Sequence, residues 1–274
     1  MVNRILFILN YTVRKIAVQL GYYSKPDFLI VGAQKSGTSA LFGILKQHSK
    51  ITGAIRKEIH FFDNEKNFNP VNYKKYHVLF PLPNKVPKGN LIFEATPSYI
   101  YNPKAAERIF KYNPDLKIII CLRNPVARAL SGWTMFHYGF KGHKRYGRSY
   151  DPSDYSSAIE KELKALTSGV WHSVKPPYIQ TGIYYYQIEN YYRFFPKQNV
   201  LILEHDELKH HHDVTVKTIC DFLKISYEPL LQLEVNKSVK KNSEDYSKEA
   251  KLLQEFYKPY NEKLFTLIGK RYNW

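Results

Sequence analysis

Residues 28–41 read F-L-I-V-G-A-Q-K-S-G-T-S-A-L. The apolar run predicts a buried strand, the glycine-flanked segment a tight loop, and T-S-A-L the start of a helix. Gly32 and Gly37 are expected to let the backbone turn sharply and approach a ligand closely. The amides of Ser36, Gly37, Thr38 and Ser39 then fall at a helix N-terminus, where N–H groups without helical partners and the helix dipole favour an anion. Lys35 adds a cation, and Thr38 and Ser39 add hydroxyls. The pattern is a phosphate cradle; an ordinary glycine-containing strand–helix turn is its plainer reading. It departs from G-x-x-x-x-G-K-[ST], because Thr38 stands where the lysine belongs and the lysine sits inside the loop. A nucleotide phosphate suits it better than an ATP γ-phosphate with magnesium.

Outward from this loop, L-I-F-E-A at 91–95, K-I-I-I-C-L-R at 117–123 and N-V-L-I-L-E at 199–204 read as further strands. Strands apolar throughout belong to a parallel sheet covered on both faces. Helices are expected over 40–48, 73–80, 103–112, from Pro125 onward, 153–166, 182–195, 213–223 and 246–268, the last bent at Pro259. No repeat, low-complexity stretch or linker divides the chain. The expectation is one α/β domain over 26–274, a central parallel sheet flanked by helices with a P-loop-like phosphate loop, preceded by an N-terminal helix or arm at 1–25.

Two further stretches carry chemistry. The segment I-T-G-A-I-R-K-E-I-H-F-F-D-N at 51–64 reads as extended. Glu58 and His60, two apart, then point the same way and form an acid–base pair behind Arg56 and Lys57; a solvated charged loop is the alternative. Arg123 ends the third strand at its carboxyl edge, where α/β sheets bind ligands. A nucleotide hydrolase would often place a magnesium-binding acid there. A guanidinium instead suits bidentate phosphate binding, or a surface ion pair. Pro125 can open the next helix, with Ser131 near two turns further on.

Composition narrows the partners. With 41 Lys+Arg against 24 Asp+Glu among 274 residues the net charge is +17, which favours a nucleotide, an acidic polysaccharide, nucleic acid or a membrane surface. The 23 tyrosines suit sugar stacking, although packing accounts for most of them. Cys121 and Cys220 lie in apolar contexts and read as buried thiols. No cysteine pattern suggests a metal site or a disulfide framework. The apolar run 5–9 falls far short of the ~20 residues that span a bilayer. Residues 1–25 read as a basic amphipathic helix that packs on the domain, hangs loose or lies on a membrane. Residues 139–152 and the basic 236–243 read as loops.

Five stretches in order, V-G-A-Q-K-S-G-T-S-A-L, K-E-I-H-F-F-D, E-A-T-P-S-Y, C-L-R-N-P-V-A-R-A-L-S and the tail Y-N-E-K-L-F-T-L-I-G-K-R-Y-N-W, resemble the sulfotransferase superfamily, closest to its heparan sulfate type, over residues 27–274. The resemblance implies 3′-phosphoadenosine 5′-phosphosulfate (PAPS) as donor, PAP as product, and no metal. It implies that Gln34, Lys35, Ser36, Gly37, Thr38 and Ser39 hold the 5′-phosphosulfate, with Lys35 also at the leaving oxygen. Arg123 and Ser131 match the 3′-phosphate pair, Glu58 the catalytic base, and His60 and Asp63 the acceptor side. Ala95 stands where the animal enzymes commonly carry a lysine, and 236–243 lacks their disulfide-closed loop, so the acceptor and the adenosine cover stay open. With no Golgi-type anchor in view, the expectation is a cytoplasmic enzyme sulfating a carbohydrate or another hydroxyl acceptor, not nucleic acid; peripheral contact of residues 1–20 with a membrane is one of the readings left open for that segment. The rival readings are a P-loop kinase or NTPase and a non-enzymatic polyanion binder.

Overall fold

The structure, a computed structural model, describes residues 2–142, 149–233 and 245–274, with side chains from residue 10 onward. The basic loop at 236–243 and residues 143–148 of the 139–152 loop therefore lie outside the described residues. Five strands are described: β1 (Phe28–Gly32), β2 (Ile51–Gly53), β3 (Leu91–Ala95), β4 (Lys117–Leu122) and β5 (Val200–Glu204). They form one sheet in the order β2-β3-β1-β4-β5. Pairing is parallel at β2–β3, β3–β1 and β1–β4, with Phe28 opposite both Phe93 and Lys117. This is the α/β architecture with a central parallel sheet that the apolar strands imply. All five residues of β1 are buried, as a central strand covered on both faces requires.

The helices are α1 (Val2–Gln19), α2 (Thr38–Leu45), α3 (Lys74–His77), α4 (Ala105–Tyr112), α5 (Pro125–Thr134), α6 (Tyr155–Thr167), α7 (Tyr184–Phe194), α8 (His205–His210), α9 (His212–Leu223) and α10 (Ser247–Ile268). Most fall where the periodicity puts them. The helix expected over 73–80 shrinks to the single turn of α3, and Pro259 lies inside α10. A π-helical turn, Met135–Gly139, continues α5. The extended segment expected over 51–64 stops at Gly53.

Contacts gather the chain into two compact units. The first takes in Met1–Ala33, Gly37–Cys121 and Asn190–Val235. Its core brings Phe28 and Ile30 of β1 together with Leu41, Ile44 and Leu45 of α2, Phe93, Ile119, Leu203 and the inner face of α9. Each such large apolar side chain contributes about 1.5–3 kcal/mol when fully buried. Cys121 and Cys220 are the buried free thiols expected. The second unit takes in Gln34–Ser36, Leu122–Glu189 and Asn236–Trp274. Trp133, Tyr155, Tyr178, Ile179 and Tyr257 form its core. Glu162 is buried there and accepts from the amides of Tyr178, Ile179 and Gln180 at 2.6, 2.8 and 2.8 Å. Tyr76, Tyr99, Tyr155, Tyr178, Tyr184, Tyr191 and Tyr257 are buried, whereas Tyr22, Tyr186 and Tyr227 are exposed.

Candidate active site

The loop after β1 leads into α2 through Gly37, which has φ +84° and, lacking a side chain, gives the helix no side-chain cap. A Cβ there would meet His205 Cδ2 at 3.0 Å, within the first unit. Gly32 serves a different purpose from the expected sharp turn. A Cβ at Gly32 would lie 2.3 Å from Ile100 Cγ2, so it is a glycine because a neighbour leaves no room. Ser36 and Thr38 are buried, and Gln34, Lys35 and Ser39 half-buried. A run of small and hydroxyl-bearing residues thus leads into a helix N-terminus, an arrangement that favours an anion.

In the second unit Arg123 follows β4 directly and donates from Nη1 to the Lys35 carbonyl at 3.2 Å. The guanidinium is thus held against the backbone at Lys35. Tyr184 Oη donates to the Arg123 carbonyl at 2.9 Å. Asn124 caps α5, accepting from the amides of Val126 and Ala127, and Pro125 opens the helix as expected. Ser131 is half-buried further along α5.

Glu58, His60 and Asp63 come together in the first unit, but not on an extended segment. Glu58 has φ +62° and His60 φ +54°, both in the left-handed region. That region is costly for residues bearing a Cβ and is held only by surrounding bonds. The bonds come from the far end of β3. Glu58 N donates to the Ala95 carbonyl at 2.9 Å, Ile59 N to Thr96 Oγ1 at 3.0 Å and Phe61 N to Tyr99 Oη at 3.0 Å. Glu58 is half-exposed; Lys57 Nζ donates to its Oε1 at 2.6 Å, and its Oε2 lies 4.0 Å from His60 Nε2. On the other side of the ring, His60 Nδ1 lies 2.9 Å from Asp63 Oδ2. Ser98 Oγ donates to the same oxygen at 2.5 Å. With Nδ1–H donating to Asp63, Nε2 is left facing Glu58. The hydrogen bond to Asp63, opposed by burial, holds the imidazole pKa above its ordinary value.

Glu94, inside the strand L-I-F-E-A, is a residue that sequence reasoning gave no role. The structure buries it completely and surrounds it with donors: Thr96 Oγ1 at 2.7 Å, Tyr76 Oη at 3.2 Å, and Tyr99. Burial pushes its pKa up to about 7 despite these bonds. Because Thr96 and Tyr99 spend their protons on Glu94, only their lone pairs face Ile59 N–H and Phe61 N–H. The hidden carboxyl thereby orients the groups that hold the Glu58–His60 turn. The signal for it was an acid followed by threonine and tyrosine at the end of an apolar strand, where a charge must find partners. Glu204, the acid that ends β5, caps α8 by accepting from the amides of Asp206 and Glu207. Among the described residues no group of three or more His, Cys, Asp or Glu is placed to hold a metal ion.

A family model described as "Sulfotransferase domain" matches residues 25–265. The chain is 24% identical over 271 residues to heparan sulfate glucosamine 3-O-sulfotransferase 5 of Mus musculus, across 91% of this chain and 74% of that one. It is 26% identical over 276 residues to heparan sulfate glucosamine 3-O-sulfotransferase 3B1 of Mus musculus, across 91% and 65%. Among solved structures, a sulfotransferase from Alicyclobacillus acidocaldarius aligns with a TM-score of 0.66 at 26% identity, covering 91% of this chain and 98% of that one.

Proposed function

The chain belongs to the sulfotransferase domain family, and on that premise we propose that it moves a sulfuryl group from PAPS to a carbohydrate hydroxyl, with Glu58 as general base. The observation that carries this reading is the linked set Glu58, His60 and Asp63, presented on a turn that two left-handed residues make and the end of β3 holds. The heparan sulfate enzymes similar to this chain support a sugar as acceptor.

In this mechanism the acceptor O–H gives its proton to the Glu58 carboxylate as the new O–S bond forms. The bond from sulfur to the bridging oxygen breaks, and PAP leaves with the bonding pair. Lys35 and the loop amides stabilise the charge that grows on that oxygen. Gln34, Ser36, Gly37, Thr38 and Ser39 hold the 5′-phosphosulfate, and Arg123 and Ser131 the 3′-phosphate. His60, oriented by Asp63, sets the carboxylate's position, and both face the acceptor. No metal enters these steps, since Lys35 and Arg123 supply the positive charge.

The test is incubation of the full chain with radiolabelled PAPS and a panel of glycans, peptides and lipids. Label on a glycan is the expected result. Label only on a peptide or a simple lipid would move the acceptor class, and no transfer to any of them would sink the reading.

A further inference from the structure

Helix α1 is built the wrong way round for a helix that only packs on its own domain. Its buried edge is thin: Val18 is fully covered, Arg14 Nε donates to the Val78 carbonyl at 3.2 Å, and Lys74 Nζ donates to Gln19 Oε1 at 2.8 Å. The apolar stripe faces the other way. Val13, Ile16 and Leu20 are 56, 58 and 80% exposed. At about 100° per residue they fall within roughly 60° of arc, and Leu20 N still donates to the Ile16 carbonyl, so the turn continues through it. The sequence repeats apolar residues at the same phase at Val2, Ile5, Leu6 and Leu9. A helix normally turns such a stripe toward the core.

Charge selects what the stripe meets. Residues 1–26 contain Arg4, Arg14, Lys15 and Lys25 and no Asp or Glu. Lys15 and Lys25 are exposed, as is Tyr22. Two copies of this helix would repel each other across a shared face. A polyanion would prefer cations, not aliphatic side chains, at the centre of its footprint. No helix among the described residues is long and apolar enough to cross a membrane. We propose that the outward face of α1 seats the protein on an anionic bilayer surface, with Val13, Ile16 and Leu20 in the headgroup–acyl boundary and the exposed Lys15 and Lys25 reaching the lipid phosphates.

Co-sedimentation of the full chain with phosphatidylcholine vesicles, with and without 30% (roughly one lipid in three) phosphatidylglycerol, tests this. Binding is expected to the anionic vesicles and to be at least about tenfold weaker to the neutral ones. Ile16→Glu with Leu20→Glu should lower the anionic partition about tenfold or more, and Lys15→Glu with Lys25→Glu should do the same. Circular dichroism and the PAP-induced rise in melting temperature, both unchanged in the variants, show that folding is intact. Equal binding to the two vesicle types, or none to either, overturns the proposal. So does a wild-type dimer that Ile16→Glu with Leu20→Glu makes monomeric. Vesicle binding that soluble heparin abolishes and Ile16→Glu with Leu20→Glu leaves untouched would assign the face to polyanions instead.

Discussion

Glu94 is buried, and its folded pKa of about 7 lies above the 4.5 of an ordinary glutamate. The folded state therefore holds the proton more tightly than the unfolded chain. The resulting stability is complete below pH 4.5 and is lost as pH rises through 7. A shift of this size is worth roughly 3 kcal/mol. The difference in unfolding free energy between wild type and Glu94→Gln should therefore shrink by roughly that amount between pH 4 and pH 8, read from urea titrations at each pH. A flat difference would mean that the carboxyl is not held neutral. At the neighbouring turn, Glu58→Gln keeps the shape and removes the basic oxygen. It should lower kcat by roughly 10²-fold or more while leaving PAP affinity nearly unchanged. Full activity in that variant would hand the role to another residue, His60 being next. Arg123→Ala should weaken PAP binding by about 1–3 kcal/mol, as loss of a hydrogen-bonded charge does; calorimetry showing equal affinity would take Arg123 out of the donor site.

Among the elements, β1 and its loop were the most legible because two strong signals coincide there, an unbroken apolar run and glycines at a strand–helix junction. Yet the reason for Gly32 was hidden, since Ile100 is remote in sequence. Gly32→Ala should cost about 1–3 kcal/mol by forcing that contact apart, measurable as a lower denaturation midpoint with an unchanged slope. The segment after β2 was misread as extended for a related cause. Nothing local in R-K-E-I-H specifies two left-handed residues; Ala95, Thr96 and Tyr99 impose them from more than 30 positions away in the chain. Glu94 was equally opaque, because an acid inside an apolar strand shows its partners only once the chain is folded. The roles proposed for the loop residues, Arg123 and Ser131 come from family resemblance rather than from spacing alone. Glu162, which gathers three amides, gave no local sign of its task. Glu162→Ala strands those donors and should destabilise its unit by several kcal/mol, at about 1–3 kcal/mol for each group left unsatisfied.

For the molecule as a whole, the proposed recognition of the donor by cationic side chains makes a clear demand on solution behaviour. PAP at 100 times its Kd should stabilise the fold by about 2.7 kcal/mol, a rise of roughly 5–10 °C in melting temperature for a chain of this size. EDTA should leave that rise intact; a rise that needs magnesium would favour a nucleotide-hydrolysing enzyme instead. The net charge of +17 adds a general pull toward anions that weakens with salt, so the measurement belongs at a fixed ionic strength. The fastening of the Glu58–His60 turn by Thr96 and Tyr99 bears on transplantation of this chemistry to another scaffold. Residues 54–63 cut out alone would arrive as a limp ribbon, since the clasp that bends them is sewn into a different piece of cloth. A working graft has to move both pieces together.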